Sequence, residues 1–262
     1  MSYWHALLLA IIEGLTEFLP VSSTGHMIIV ANLLGIGQLT FTDTYITSIQ
    51  LGAILSVVVL YWRRFVQSFD FYLKLAVAFV PFGILGFLLK DVIESLLKNV
   101  AVVAWALLVG GVVLVFIDKV FSGPRKEVTT PNFRQALKIG LFQCLALVPG
   151  VSRSAATIVG GLAQGFDRRS AADFSFLLAV PTMFVITAYQ LYKTYKIAPP
   201  GAEDLKLLLF GNVVAFIVAL LAVKTFVDFV SRFGFRAFGL YRIVVGVVIL
   251  VMMALGIDLH VL

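Results

Sequence analysis

Apolar residues run in long unbroken stretches from Thr44 to Trp62, Phe71 to Leu89, Ala101 to Phe121, Ala171 to Tyr192, Leu205 to Val230 and Arg236 to Ile257. A helix needs about 20 such residues to cross a bilayer core, so the pattern predicts six full transmembrane helices. Two other stretches, Tyr3 to Leu19 and Ala136 to Val148, fall short of a crossing and stop at Pro20 and Pro149. Each is followed by a polar break, VSSTGH or GVSRSAAT, and then by about a dozen apolar residues ending at Gly35 or Gly165. Helix, polar turn and half-helix predict two re-entrant helical hairpins. Lipid cannot satisfy the backbone of such turns, so they must be buried in protein or line a shared polar cavity.

The two hairpin regions resemble each other at an offset of 130 residues: Ala6 with Ala136, Leu15 with Leu145, Val21 and Ser22 with Val151 and Ser152, Gly35 with Gly165, Asp43 with Asp173. The expected organisation is a single membrane domain, 1–262, built from one repeat over about 1–123 and a second over about 124–262, dividing near Pro124. Basic residues gather in alternate loops: Arg63, Arg64 and Lys74; Lys119, Arg125, Lys126, Arg134 and Lys138; Arg168 and Arg169; Arg232 and Arg236. Placing these on the cytoplasmic side requires the segment from Arg134 to Arg168 to enter and leave on one face. Three crossings separate the hairpins, so the repeats are expected in inverted topology, with both termini external.

At 61% hydrophobic and 13% charged, the composition lies far from the roughly 45–50% and 25% of soluble domains. An all-α integral membrane protein is the class it leaves. The net charge of +6 is spread through loops without a basic stripe, which argues against a nucleic-acid partner. Cys144 stands alone and is read as packing. The N-terminus has no basic segment of a secretory signal, and Glu13 and Glu17 interrupt its apolar run, so the chain is expected to be mature as written.

The candidate chemistry lies at the two breaks. Glu13 and Glu17, four apart, put two carboxylates on one helix face. An acid at membrane depth costs roughly 2.5–3.5 kcal/mol, so a pair implies a pathway, a metal or a partner cation such as Arg153. Ser22, Ser23, Thr24 and His26 follow Pro20. Ser22 alone could be a helix cap. Ser152, Arg153, Ser154 and Thr157 occupy the equivalent break, with Arg153 the only cation expected near mid-membrane. A guanidinium and two half-helix N-termini aimed at one point suit a phosphorylated lipid head group. Magnesium or calcium would take one or two carboxylates and phosphate oxygens, whereas zinc would want more His or Cys.

The segments EGLTEFLPVSSTGH, from Glu13 to His26, and PGVSRSAAT, from Pro149 to Thr157, resemble the two signature segments of the undecaprenyl-diphosphate phosphatase, or bacitracin-resistance, family. Ala155 departs from the glycine common there. The resemblance implies hydrolysis of undecaprenyl diphosphate to undecaprenyl phosphate and inorganic phosphate, recycling the carrier for cell-wall glycan synthesis. It also implies divalent-metal dependence, bacitracin resistance on overproduction, a bacterial inner-membrane location with the site opening to the outer face, and often a homodimer. Carried over residue by residue, it implies metal binding by Glu13 and Glu17, proton handling by Glu17, a diphosphate clamp at Arg153, and substrate binding by Ser22, Thr24, Ser152, Ser154 and Thr157. Ser23 would be the nucleophile and His26 a general acid or base; attack by metal-activated water or by His26 itself stays open.

A lipid-phosphate transporter or flippase on inverted repeats is the main alternative, since it needs the same broken helices but no nucleophile. A phosphatidic-acid-type phosphatase matches only through STGH, because His5 and His260 lie at the chain ends. Elsewhere, Lys224 and Asp228 are expected to pair, Arg63, Arg64, Arg168 and Arg169 to anchor the cytoplasmic face, and Trp4, Trp62 and Trp105 to sit at the interfaces. Gln50 is a candidate cavity residue, and the spacing of Gly161 and Gly165 permits close helix packing.

Overall fold

The structure, a computed structural model, describes residues 1–123, 125–197, 199–257 and 259. Its helices are α1 (Tyr3–Thr16), α2 (Ser23–Leu33), α3 (Thr40–Leu60), α4 (Trp62–Phe65), α5 (Phe69–Leu88), α6 (Lys90–Leu97), α7 (Val100–Val120), α8 (Phe133–Gln143), α9 (Arg153–Ala163), α10 (Arg168–Ile197), α11 (Ala202–Phe233) and α12 (Arg236–Ala254). Among the described residues six are long and apolar enough to cross a membrane: α3, α5, α7, α10, α11 and α12. The protein is a multi-pass membrane protein.

Helices α1 and α2, of 14 and 11 residues, are both short of a crossing, as are α8 and α9 at 11 each. At 1.5 Å per residue the half-helices α2 and α9 reach about 17 Å, roughly half the hydrocarbon core. Both begin 130 residues apart and both are left through a glycine with positive φ, Gly35 (66°) and Gly165 (84°). The break after α1 is a turn, whereas α8 tightens into a 3-10 turn over Cys144–Leu147 before Pro149. The expected repeat boundary at Pro124 lies outside the described residues, as does His260.

Packing crosses the sequence midpoint reciprocally: α1 lies on α11 and α8 on α5, while α3 pairs with α10 and α7 with α12. Each short opening helix is thus buried by a long helix from the other half. The α7–α12 contact is close because Gly111 and Gly239 face each other. An added Cβ at Gly239 would stand 2.7 Å from the Gly111 carbonyl oxygen and 2.6 Å from the Val115 amide nitrogen. Only small residues allow this approach, which substitutes for a hydrophobic driving force between helices in lipid.

Several helix bounds differ from the sequence reading. Helices α10 and α11 run 30 and 32 residues, beyond the apolar stretches that revealed them. The extension of α10 is held by side-chain contacts that hydropathy does not register: Lys196 lies over the Tyr192 ring at 4.6 Å, and Lys193 reaches Glu94 of α6 at 3.4 Å. Helix α11 starts earlier because Asp204 accepts from the Gly201 amide and, with Glu203, favours the positive helix end. The short amphipathic α6 was not anticipated.

Two other expectations are corrected, and further side chains find partners. Lys224 and Asp228 are exposed and form no ion pair, consistent with the weaker orientation in which the cation precedes the acid. Gly161 packs against Ala171 of its own chain, and Gly165 lies outside α9, so the two do not form a helix-packing stripe. Gln50 accepts a hydrogen bond from Thr187 at 3.2 Å and bridges α3 to α10. Trp4, Trp62 and Trp105 are exposed, and Arg168 is tied to Asp118 at 2.8 Å.

Replacing Gly239 with alanine should cost about 1–3 kcal/mol through overpacking, seen as a lower Tm of the detergent-solubilised protein. An unchanged Tm would mean the α7–α12 contact can yield.

Candidate active site

The two breaks share an unusual backbone feature. Ser22 (φ 69°) and Ser152 (φ 74°), 130 residues apart, are the two described non-glycine residues with positive φ. Such a conformation costs of order 1–3 kcal/mol and persists only when its surroundings enforce it. Each strained serine immediately precedes the first residue of a half-helix, Ser23 of α2 and Arg153 of α9. The sharp reversal turns both of these side chains toward the end of α1.

There they meet Glu17. Ser23 Oγ donates to Glu17 Oε2 at 2.7 Å, and Arg153 Nη2 donates to Glu17 Oε1 at 3.2 Å. One carboxylate therefore joins the hydroxyl of the first break to the guanidinium of the second. Glu17 and Arg153 are buried, with side chains 6% and 8% exposed. Each needs the other, because an unpaired charge at that depth would be expensive. Arg153 also lies 5.8 Å over the Phe18 ring and donates from Nη1 to the Ser175 carbonyl at 3.3 Å, while its Nε–H has no partner among the described residues.

Glu13, one turn before Glu17, is fully buried, and neither of its carboxylate oxygens has a hydrogen-bond partner among the described residues. A buried carboxylate left orphaned beside a second one marks a place where a cation would be stabilised. No group of three or more His, Cys, Asp or Glu gathers among the described residues, so a metal here would have two protein carboxylates at most.

His26 does not face Ser23. Its Nδ1–H donates to the Ser22 carbonyl at 2.8 Å, which fixes the tautomer of the neutral ring and leaves Nε2 to accept from the Tyr241 hydroxyl at 2.7 Å. The imidazole holds the strained serine and ties it to α12.

The remaining predicted residues divide. Ser22 makes no side-chain capping bond, so the expectation of a cap there is not met, whereas Ser152 Oγ accepts from the Ala155 amide at 3.2 Å. Ser154 is fully buried and donates to the Leu19 carbonyl at 2.8 Å, stitching one break to the other. Thr157 bonds to the Arg153 carbonyl and to Ser175 Oγ. Thr24 is half-buried and joins none of these bonds. The acid, hydroxyl and arginine touch directly rather than standing around an open cavity, since facing charges in an apolar bundle neutralise each other. A cavity of 410 Å³ lies elsewhere, between Asp118, Arg125, Asp167 and Arg168.

Sequence reasoning missed Ser175, Tyr241 and Arg242. Arg242 is fully buried in α12, so Arg153 is not the sole cation inside the bundle. Its signal was present: an arginine six residues into an apolar stretch is an intramembrane charge and warrants a functional question. Ser175 and Tyr241 left no such trace.

Residues 6–248 match the profile of the family described as bacitracin resistance protein BacA. The chain belongs to this family. Proteins named undecaprenyl-diphosphatase are similar to it over nearly their whole length. That of Bdellovibrio bacteriovorus is 52% identical, covering 99% of each chain. That of Flavobacterium johnsoniae is 54% identical over 95% of this chain and 96% of its own, and that of Porphyromonas gingivalis is 49% identical over the full length of both. Those names denote an enzyme, which favours BacA-family hydrolysis over transport.

Replacing Ser22 with glycine should relieve backbone strain and raise the Tm relative to Ser22→Ala by about 1 kcal/mol of stability, since both lack the hydroxyl but only glycine accepts positive φ. Equal Tm values would remove the strain argument.

Proposed function

We propose that the chain hydrolyses undecaprenyl diphosphate to undecaprenyl phosphate and inorganic phosphate, recycling the lipid carrier for cell-wall glycan synthesis. The observation that carries this reading is the 2.7 Å hydrogen bond from Ser23 to Glu17, itself paired with Arg153. A hydroxyl, a carboxylate able to act as its base and a cation able to bind an anion in one contact at the start of a half-helix support this reading. The family and the names of its relatives supply the substrate.

Ser23 Oγ attacks the terminal phosphorus while Glu17 Oε2 takes the hydroxyl proton. The Oγ–P bond forms as the bridging P–O bond breaks, and undecaprenyl phosphate leaves. Glu17 gives that proton up to the leaving undecaprenyl phosphate; water then attacks the phosphoserine, Glu17 accepts the water's proton and returns it to Ser23 Oγ as the Oγ–P bond breaks and inorganic phosphate is released. Arg153 turns its free Nε–H and remaining donors to the phosphate oxygens and offsets charge developing in the transition state. The opening amides of α2 carry no side-chain cap, and a phosphate oxygen at the start of the half-helix would satisfy them. His26 orients the Ser22 turn. With both nitrogens engaged, it is a poorer nucleophile than Ser23.

Glu13 and Glu17 would hold Mg²⁺ or Ca²⁺, and the orphaned oxygens of Glu13 fit such a hard cation. When bound, the ion would neutralise phosphate charge and could activate a water.

We further infer that α1–α2 and α8–α9 are re-entrant hairpins of two inverted repeats in a bacterial inner membrane. The reciprocal packing of α1 on α11 and α8 on α5, and the three crossings between the hairpins, support this. The Lys/Arg bias supports external termini, and the family resemblance supports a site that opens to the outer face. Ser154, Thr157 and Ser152 position the second break for the diphosphate, with Ser22 and Thr24 beside it. Assembly as a homodimer accompanies this reading.

Purified protein with Mg²⁺ or Ca²⁺ should release phosphate from undecaprenyl diphosphate, and EDTA should stop it. Glu17→Gln should lose about 10²–10⁴-fold in kcat and Arg153→Ala about 10²–10³-fold. Ser23→Ala should abolish the phosphoserine trapped from labelled substrate by acid quench. No release by folded wild type in either metal overturns hydrolysis; release retained by Ser23→Ala hands the attack to water or His26. A protease site placed at the N-terminus should be cut in spheroplasts and spared in inverted vesicles, and the opposite pattern overturns the orientation.

A further inference from the structure

Arg242 has no carboxylate partner among the described residues, yet it is fully buried. Its guanidinium is satisfied by five backbone carbonyls. Nη1 donates to Pro20 at 3.2 Å and Val151 at 2.9 Å, Nη2 to Gly150 at 2.9 Å and Ala106 at 3.0 Å, and Nε to Leu107 at 3.4 Å. These carbonyls come from the first break, the second break and α7. Pro20 stands three residues before Ser23, and Val151 two before Arg153.

The chemistry of the breaks explains why arginine is needed. Interrupting a helix inside an apolar bundle frees carbonyls that have no amide partner and no water. Guanidinium is the side chain with five N–H donors in a rigid planar fork, so one residue can serve two turns and hold them in fixed register. Lysine would bring the same charge with three donors on a flexible stem.

We propose that Arg242 is a positioning residue for phosphoryl transfer: it clamps the two broken turns together from α12 and so sets the distance between the attacking Ser23 and the diphosphate-binding Arg153. This rests on hydrolysis as the reaction of the site. Gly110 gives independent access to the clamp. A Cβ at Gly110 would overlap Nη2 and come within 2.9 Å of Cζ, and the three atoms nearest to it all belong to the Arg242 guanidinium. Gly110→Ala therefore displaces the fork without removing the arginine.

The test compares wild type, Arg242→Lys and Gly110→Ala for kcat and KM per folded molecule, with folded protein counted by size-exclusion chromatography. Amide hydrogen exchange is followed over residues 19–24 and 149–154. Since a misplacement of about 1 Å can cost on the order of 10²-fold, Arg242→Lys should lose about 10–100-fold in kcat with KM within about threefold, and Gly110→Ala should lose less in the same sense. Both turns should exchange faster together. A purely structural arginine would lower the folded fraction and leave kcat per folded molecule unchanged, which overturns the proposal, as does faster exchange in one turn alone. If Arg242→Lys does not fold, Gly110→Ala decides. If wild type releases no phosphate, hydrolysis falls, and paired exchange in the two turns then decides the clamp by itself.

Discussion

A polypeptide that breaks its helices inside an apolar bundle must satisfy the freed backbone groups from within, because lipid offers neither donors nor acceptors. Most of the polar architecture here answers that constraint. Arg242 takes carbonyls from both breaks, Ser154 donates to the Leu19 carbonyl, and His26 donates to that of Ser22. The same bonds that make the breaks tolerable also fix where Ser23 and Arg153 point. Stability and site geometry are therefore one arrangement, and the strained φ of Ser22 and Ser152 is held by the surrounding bonds.

The two halves have similar scaffolds and different chemistry. At the offset of 130, Glu13 corresponds to Gln143, Ser23 to Arg153 and His26 to Ala156. Gln143 is buried against Thr182 at 3.4 Å, a neutral pair where the first half carries an orphaned carboxylate. The first break thus holds acid and hydroxyl, and the second holds the cation. Since α1 is buried by α11 and α8 by α5, neither half would present its contribution without the other. Meeting at Glu17, they make a site from two segments each too short to cross a membrane.

The six crossings were legible because burial in lipid imposes an unbroken apolar stretch, a constraint local to each segment. The half-helices were legible for the same reason in reverse: Pro20 and Pro149 stop a helix, and Gly35 and Gly165 permit its exit. The end of α10 was not, since its contact of Lys193 with Glu94 depends on a helix far away in sequence.

At the site, the sequence by itself determined which residue types stand at the breaks: two acids one turn apart, a serine cluster with a histidine, and an arginine among serines. Only the tertiary structure decided that Glu17, rather than His26, receives the Ser23 hydroxyl, that the Glu13 oxygens have no hydrogen-bond partner among the described residues, and that Tyr241 and Arg242 of α12 complete the arrangement. Spacing along a helix reports which residues share a face, and hydropathy reports what lipid tolerates. Neither reports which way a hydroxyl or a guanidinium turns, because that is set by the carbonyls and carboxylates that folding brings beside it, from Glu17 close to Ser23 in sequence to the same Glu17 136 residues from Arg153.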